Sequence, residues 1–209
     1  MPLKGTYFVT GTDTEIGKTW VSCRLLEQAS KAGGRCYGLK PVAAGGDDTP
    51  EGLRNEDALQ LMAASSVKLD YDVVNPVLLK AAIAPHIAAE EEKRRLSAAR
   101  LAGYVRGAVM SNEADLVLVE GAGGWRVPLN DRESMSDLAT ELNYPIILVV
   151  GMRLGCINHA LLTAQSIAAL NLRLVGWVAN DLGDPMPRLE ENIATLDHWM
   201  PVPRITLGD

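Results

Sequence analysis

Cysteine, positive charge and long apolar runs are all in short supply in this chain. Its three cysteines, Cys23, Cys36 and Cys156, are odd in number and widely scattered, which argues against a disulfide framework and for a reducing compartment. No apolar run approaches the roughly 18 residues that a membrane span requires. Lys and Arg number 20 against 26 Asp and Glu, a net charge of −6. That balance argues against a general nucleic-acid binder, so any bound anion must be held by local features. Met1-Pro2-Leu3-Lys4-Gly5 runs straight into the first apolar segment, so no secretory leader is expected. The expectation is a cytoplasmic protein that engages neither membrane nor nucleic acid. No internal repeat or dividing linker is evident, and 209 residues with 47% hydrophobic and 22% charged side chains suit a single globular domain.

Apolar runs of strand length alternate with helical periods. Residues 6–10, 36–42, 115–120, 145–150 and 173–179 read as strands. The run Pro145-Ile146-Ile147-Leu148-Val149-Val150 has no polar alternation and fits a strand buried on both faces. Residues 17–32 read as a helix with Val21, Leu25, Leu26 and Ala29 on one face, closed by Gly33-Gly34. Residues 43–54, rich in Gly, Asp and Pro, read as a loop. Residues 72–79 read as a strand interrupted by Pro76. Further helices are expected over 55–64, 85–94, 97–110, 134–143 and 156–170, with Ser134 and Asp137 as a capping box. The alternation predicts an α/β fold: a mostly parallel central sheet with helices on both faces. Ligands of such sheets bind beyond the carboxyl ends of the strands.

The stretch Gly11-Thr12-Asp13-Thr14-Glu15-Ile16-Gly17-Lys18-Thr19 follows the first strand and ends as a phosphate-binding loop ends. Five residues separate its glycines, one more than the usual pattern. Gly11 permits a sharp turn, and Gly17 lets backbone N–H groups approach phosphate closely. The helix that starts there points its positive end at the anion. Lys18 brings a charge to the outer phosphates, and the Thr19 hydroxyl suits Mg²⁺. Strand, glycine loop and helix in that order predict a P-loop fold.

Other polar residues fall at strand ends. Lys40 follows the second strand; it is either a surface lysine or a charge that neutralises a phosphoryl group in transfer. Glu120 ends the strand at 115–120, where P-loop enzymes hold an Mg²⁺ carboxylate. Gly121-Ala122-Gly123-Gly124 then exposes backbone N–H groups without forming a dinucleotide fingerprint. Asp57, at the start of the helix over 55–64, either complements the helix dipole or serves a metal. Asn180-Asp181 either caps a turn or hydrogen-bonds a base edge.

Taken together, YFVTGTDTEIGKT, GLKPVA, TPEGLRNEDAL, APHIAA, LVLVEGAGGW, PIILVVG, LGCINHALLTAQ and GWVAND resemble the dethiobiotin synthetase family over residues 7–181. The five-residue loop spacing is itself the form that family takes. The resemblance implies closure of a cyclic urea on 7,8-diaminononanoate with CO₂, ATP and Mg²⁺, through a carbamate that ATP phosphorylates. It implies that the segment from Glu15 through Ile16, Gly17, Lys18 and Thr19 to Trp20 wraps the nucleotide phosphates, with Thr14 beside it. Thr19, Asp57 and Glu120 resemble the Mg²⁺ set, and Lys40, with Lys18, the catalytic pair. The backbone of Gly121, Ala122 and Gly123 would lie by the reacting nitrogens. Thr14, Lys40 and Ala44 would face the substrate, while Asn180 and Asp181 would meet the adenine. Asn158 would hold the substrate carboxylate across a subunit boundary, which implies a homodimer.

Two departures from the family stand out. Ala44 replaces a serine that many members carry in the substrate loop. The chain ends at Arg204-Ile205-Thr206-Leu207-Gly208-Asp209, where members usually continue through a Gly-x-Ile-Pro stretch over the adenine. The expectation from the second is loose base selection, with GTP and CTP within ~10²-fold of ATP. Elsewhere the residues suggest plainer roles. His86, His159 and Cys156 read as structural, and Trp125 as pocket wall or core. Glu90-Glu91-Glu92-Lys93-Arg94-Arg95 reads as a solvated helix face with i,i+4 pairs. Two rival functions share the phosphate loop: a small-molecule kinase and a partitioning-type switch ATPase. The switch proteins carry an early loop lysine, and none lies between Gly11 and Gly17.

Overall fold

The computed structural model describes residues 3–183 and 185–208. Strand β1 (Gly5–Gly11) passes through the glycine loop into α1 (Lys18–Lys31), and β2 (Cys36–Leu39) follows. A side structure comes next: β3 (Ala43–Ala44), β4 (Asp47–Thr49), β5 (Gly52–Arg54), α2 (Glu56–Ala64), α3 (Tyr71–Val74) and β6 (Leu78–Leu79). The chain continues through α4 (Pro85–Glu91), α5 (Ala98–Ser111), β7 (Leu116–Glu120), α6 (Met135–Leu142), β8 (Ile146–Met152), α7 (Cys156–Ala169), β9 (Leu174–Asp181) and α8 (Leu189–Trp199). The main sheet runs β2-β7-β1-β8-β9. All its pairings are parallel, so each connection needs a crossover, and the helices supply it.

The period of two along each strand sorts side chains between two apolar layers. Leu116 and Leu118 of β7 pack with Val9, Val21, Leu25 and Leu61 on the α1–α2 side. Val117 and Val119 pack with Phe8, Leu101, Val105 and Leu138 on the α5–α6 side. β8 is buried at every position, as its unbroken apolar run predicts. On the α5–α6 side it adds Leu148 and Val150, which meet Ala160, Ala164, Trp177 and Leu196 beneath α7 and α8. Trp125 is core: it is 3% exposed, and its indole N–H donates to Ser166 Oγ at 3.1 Å. Cys156 is likewise buried among the residues under α7.

Three expectations are corrected and one helix is added. Residues 43–54 are not a structureless loop: β4 and β5 pair as an antiparallel hairpin, and β3 pairs with β6. Residues 72–79 hold a helical turn and a two-residue strand, because the backbone here braces β2 instead of joining the main sheet. Lys40 N–H donates to Val74 O at 2.8 Å, and Asn75 Nδ2 donates to Lys40 O at 2.6 Å. The charged run beyond α4 does not form i,i+4 pairs, because the helix stops at Glu91. Arg94 instead pairs with Glu92 at 3.2 Å and donates to Leu78 O at 2.6 Å. Helix α8 was not anticipated, although Leu189, Ile193, Leu196 and Met200 repeat at helical spacing and pack together.

Candidate active site

Beyond the carboxyl ends of β1, β2 and β7 lies a cleft of about 710 Å³. Strand alternation delivers two charged groups beneath it. Glu120 follows Leu118 by two residues and so faces α1. Lys40 keeps the same parity with Cys36, which also packs on the α1 side. Both are almost fully buried, Glu120 at 0% and Lys40 at 3% exposure. Helix α1 meets them with its first turn. Thr19 Oγ1 donates to Glu120 Oε1 at 2.6 Å, and Ser22 Oγ, one turn later, donates to Glu120 Oε2 at 2.9 Å. Lys40 Nζ lies between two carboxylates, 2.7 Å from Glu120 Oε1 and 2.8 Å from Asp57 Oδ2. Asp57 arrives on α2, whose start is fixed by Asn55: its Oδ1 accepts from Ala58 N at 3.2 Å, and its Nδ2 donates to Gly45 O at 2.7 Å.

Burial and charge act in opposite directions on these groups. Burial alone would lower the pKa of Lys40, but Glu120 and Asp57 outweigh it and hold the ammonium above its usual value. Burial alone would raise that of Asp57, and the charge and hydrogen bond of Lys40 bring it below normal. Among the described residues Lys18 has no carboxylate in contact; its Nζ donates to Asp13 O at 2.9 Å. Burial, reinforced by the nearby Lys40 charge, pushes it down to about 8 against the pull of Glu120, Asp57 and Asp13. Two ammonium groups thus face one cleft, which suits a polyanionic ligand.

The loop is shaped by two glycines, for different reasons. Gly17 has φ 80° and ψ 29°, a left-handed conformation that costs other residues strain. Gly11 is not at positive φ; it is needed for space, since a Cβ there would lie 2.8 Å from Ile16 Cδ1. The sharp-turn reading of Gly11 is therefore replaced by a packing one. Glu15 is left-handed as well, at φ 55°. Asn180 Nδ2 donates to Ile16 O at 2.9 Å, pinning the loop to the end of β9.

Most of the residues singled out in the sequence converge. Thr14, Glu15, Gly17, Lys18 and Thr19 line the cleft on the loop side, with Trp20. Lys40, Ala44, Asp57, Ala122 and Gly123 line it opposite. Glu120 lies below the floor. Ile16 is 1% exposed and points into the core, so only its backbone is available to a ligand. Asn180 is buried against the loop. Asp181 is exposed, and its Oδ1 accepts from Gly183 N at 3.0 Å. Gly121 is buried, while Asn158 is exposed on α7; neither lines the cleft. Sequence reasoning missed Ser22. Its signal was the spacing of Thr19 and Ser22, which places both hydroxyls on one helix face.

A hydroxyl and two carboxylates are hard oxygen donors of the kind Mg²⁺ takes together with substrate phosphates. The Lys40 ammonium between Asp57 and Glu120 shows that the gap accepts a cation. Among the described residues no group of three or more His, Cys, Asp or Glu could hold a metal, so Thr19 and ligand oxygens are needed to complete such a shell. Among the described residues, no helix is long and apolar enough to cross a membrane.

A family model described as an AAA domain matches residues 5–207. A protein of Cellvibrio japonicus named ATP-dependent dethiobiotin synthetase BioD is 58% identical over 200 residues, 96% of this chain and 87% of its own length. A namesake from Pseudomonas aeruginosa is 56% identical over 197 residues, 94% of this chain and 86% of its own. ATP-dependent dethiobiotin synthetase BioD 1 of Escherichia coli is 51% identical over 197 residues, 94% and 87% of the two chains. Among solved structures, chloroplast FtsY of Physcomitrella patens superposes with a TM-score of 0.55 at 18% identity, covering 100% of this chain. Thermotoga maritima FtsY gives 0.55 at 14% and covers 97%. The chain spans 60% of the length of each of these two structures, and at such identities the likeness concerns the fold alone.

Proposed function

The chain belongs to the ATP-dependent dethiobiotin synthetase family, and from that premise we propose how its residues carry the reaction. The activity is ATP-dependent ring closure forming a C–N bond in biotin biosynthesis. The two amines of 7,8-diaminononanoate and CO₂ become the cyclic urea of dethiobiotin. One amine takes up CO₂ as a carbamate. A carbamate oxygen attacks the γ-phosphorus of ATP, giving a carbamic–phosphoric anhydride and ADP. The second amine attacks the anhydride carbonyl, and phosphate leaves with the electron pair of the broken C–O bond. The relatives' names support this ligase over the kinase and switch-ATPase readings.

The observation that carries the residue assignment is the convergence of Lys18, Thr19, Lys40 and Asp57 on one cleft, with Glu120 directly beneath it and bonded to Thr19 and Lys40. Lys18 and the N–H groups at the start of α1 hold the outer phosphates. Lys40 supplies positive charge where negative charge spreads in phosphoryl transfer. Thr19, Asp57 and Glu120 would hold Mg²⁺, which when bound neutralises charge on the phosphates. Thr14, Ala44, Ala122 and Gly123 surround the diamine. Ala44 and Ala122 offer it only backbone and apolar contact. Asn180, with its Nδ2 engaged by the loop, has its carbonyl oxygen left for the adenine amino group, beside Asp181. Asn158 lies outside the cleft of its own chain, which supports a homodimer whose second copy completes the substrate site. In this reading one domain, residues 1–209, works in the cytoplasm. Release of phosphate from ATP should require both the diamine and bicarbonate; release without bicarbonate, or a phosphorylated product, counts against ring closure.

A further inference from the structure

We propose that Lys40 is the built-in counter-ion of the metal carboxylates and leaves them for the reacting oxygens when the metal–nucleotide complex enters. This rests on Thr19, Asp57 and Glu120 as the metal set proposed above. The argument is one of donors and lone pairs. A lysine ammonium has three N–H donors, and Lys40 Nζ has three acceptors: Asp57 Oδ2 at 2.8 Å, Glu120 Oε1 at 2.7 Å and Gly121 O at 3.4 Å. In this arrangement it has no donor to offer a phosphoryl or carbamate oxygen. Glu120 is committed at Oε1. Oε1 accepts from both Lys40 and Thr19, and Oε2 accepts from Ser22. A carboxylate oxygen has about two lone-pair sites, so direct ligation through Oε1 requires one donor to withdraw. Thr19 need not, because its hydroxyl can keep its proton on Glu120 while offering its own lone pair. Lys40 must, since it is a cation lying between the same two carboxylates. Its flexible stem allows the swing, and Ser22, buried behind Oε2, keeps the carboxylate in place meanwhile. Lys40 thereby becomes available for phosphoryl transfer only once the metal site is filled.

The prediction is competition. Mn²⁺, which favours the same hard oxygen ligands, is titrated against nucleotide-free protein and followed by its electron paramagnetic resonance signal. Lys40→Met, uncharged and similar in reach, should bind Mn²⁺ at least ~10-fold more tightly than wild type; equal or weaker binding overturns the proposal. Should Lys40→Met not fold, the wild-type protein still decides. Proton–nitrogen spectra of its lysine ammonium groups should show a protected Lys40 signal, told apart from Lys18 with Lys18→Met. That protection should vanish on adding Mg²⁺ and ADP, and its persistence overturns the proposal. Mn²⁺ binding in the presence of ADP, compared with Thr19→Ala, separates the layers. If wild type binds none, or Thr19→Ala binds as well, the metal assignment falls and the handover with it. If that control passes while Lys40→Met shows no gain, the handover alone falls.

Discussion

Replacing Gly17 with alanine should damage the phosphate loop in two separable ways. Left-handed backbone at φ 80° and ψ 29° costs a residue with a Cβ about 1–2 kcal/mol. The new Cβ would lie 2.1 Å from Asn180 Nδ2, so that amide must move and give up its 2.9 Å bond to Ile16 O. The lost bond adds ~0.5–1.5 kcal/mol, for a total of roughly 1.5–3.5 kcal/mol. For a chain of 209 residues, at about 2–4 °C per kcal/mol, the melting temperature should fall by ~3–14 °C. Urea denaturation of Gly17→Ala, Asn180→Ala and the double variant resolves the parts. Asn180→Ala already forfeits the amide bond, so the double variant should fall short of the summed costs by about 0.5–1.5 kcal/mol. Strict additivity, or a Gly17→Ala protein within ~0.5 kcal/mol of wild type, would refute the reasoning.

Lys18→Ala and Lys40→Ala should each lower kcat/KM by at least ~10²-fold. Circular dichroism should find Lys18→Ala folded as wild type, whereas Lys40→Ala strands buried Glu120 and should lose ~3–5 kcal/mol of stability. With Lys18 at about 8 in the free protein, roughly half of it lacks its proton at pH 8, and phosphate should restore it. ADP binding at pH 8, where its own phosphates are already ionised, should therefore take up about half a proton, read by calorimetry in buffers of differing ionisation enthalpy; release of protons at pH 8 contradicts this. For folding the same shift has the opposite sign from a salt bridge. The unfolded lysine keeps its proton to about 10.5, so this group adds stability as pH rises from about 8 to that value. Mixing Asn158→Ala with Lys18→Ala should restore part of the activity that each lacks, because a mixed dimer has one site with both native residues. No recovery after demonstrated subunit exchange counts against the shared site.

What the sequence revealed tracks how local each signal is. The five strands of the main sheet announce themselves as apolar runs, because parallel strands buried on both faces need nothing else. The capping box of Ser134 and Asp137 is a matter of residues three apart, and it forms. The strand order is not written in any run, since it depends on which crossovers pack. The segment over 72–79 misled for a similar reason. Val77 and Leu79 do join the core beside Tyr37 and Leu39, but the backbone braces Lys40, 35 positions away from Asn75, instead of pairing with the main sheet. Within the site, loop and hydroxyl were legible from spacing. The Lys40–Asp57 contact was not, because it joins the end of a strand to the start of a helix across an intervening hairpin.

The central claim is that ATP is spent on the carbamate oxygen, so an oxygen atom from carbonate must leave in phosphate. The reaction run briefly in ¹⁸O-labelled bicarbonate, with the released phosphate examined by mass spectrometry, tests this directly. The mechanism predicts one labelled oxygen in each phosphate and none in ADP. Phosphate without label, formed alongside dethiobiotin, would show that its oxygen came from water and that the carbamate was never phosphorylated.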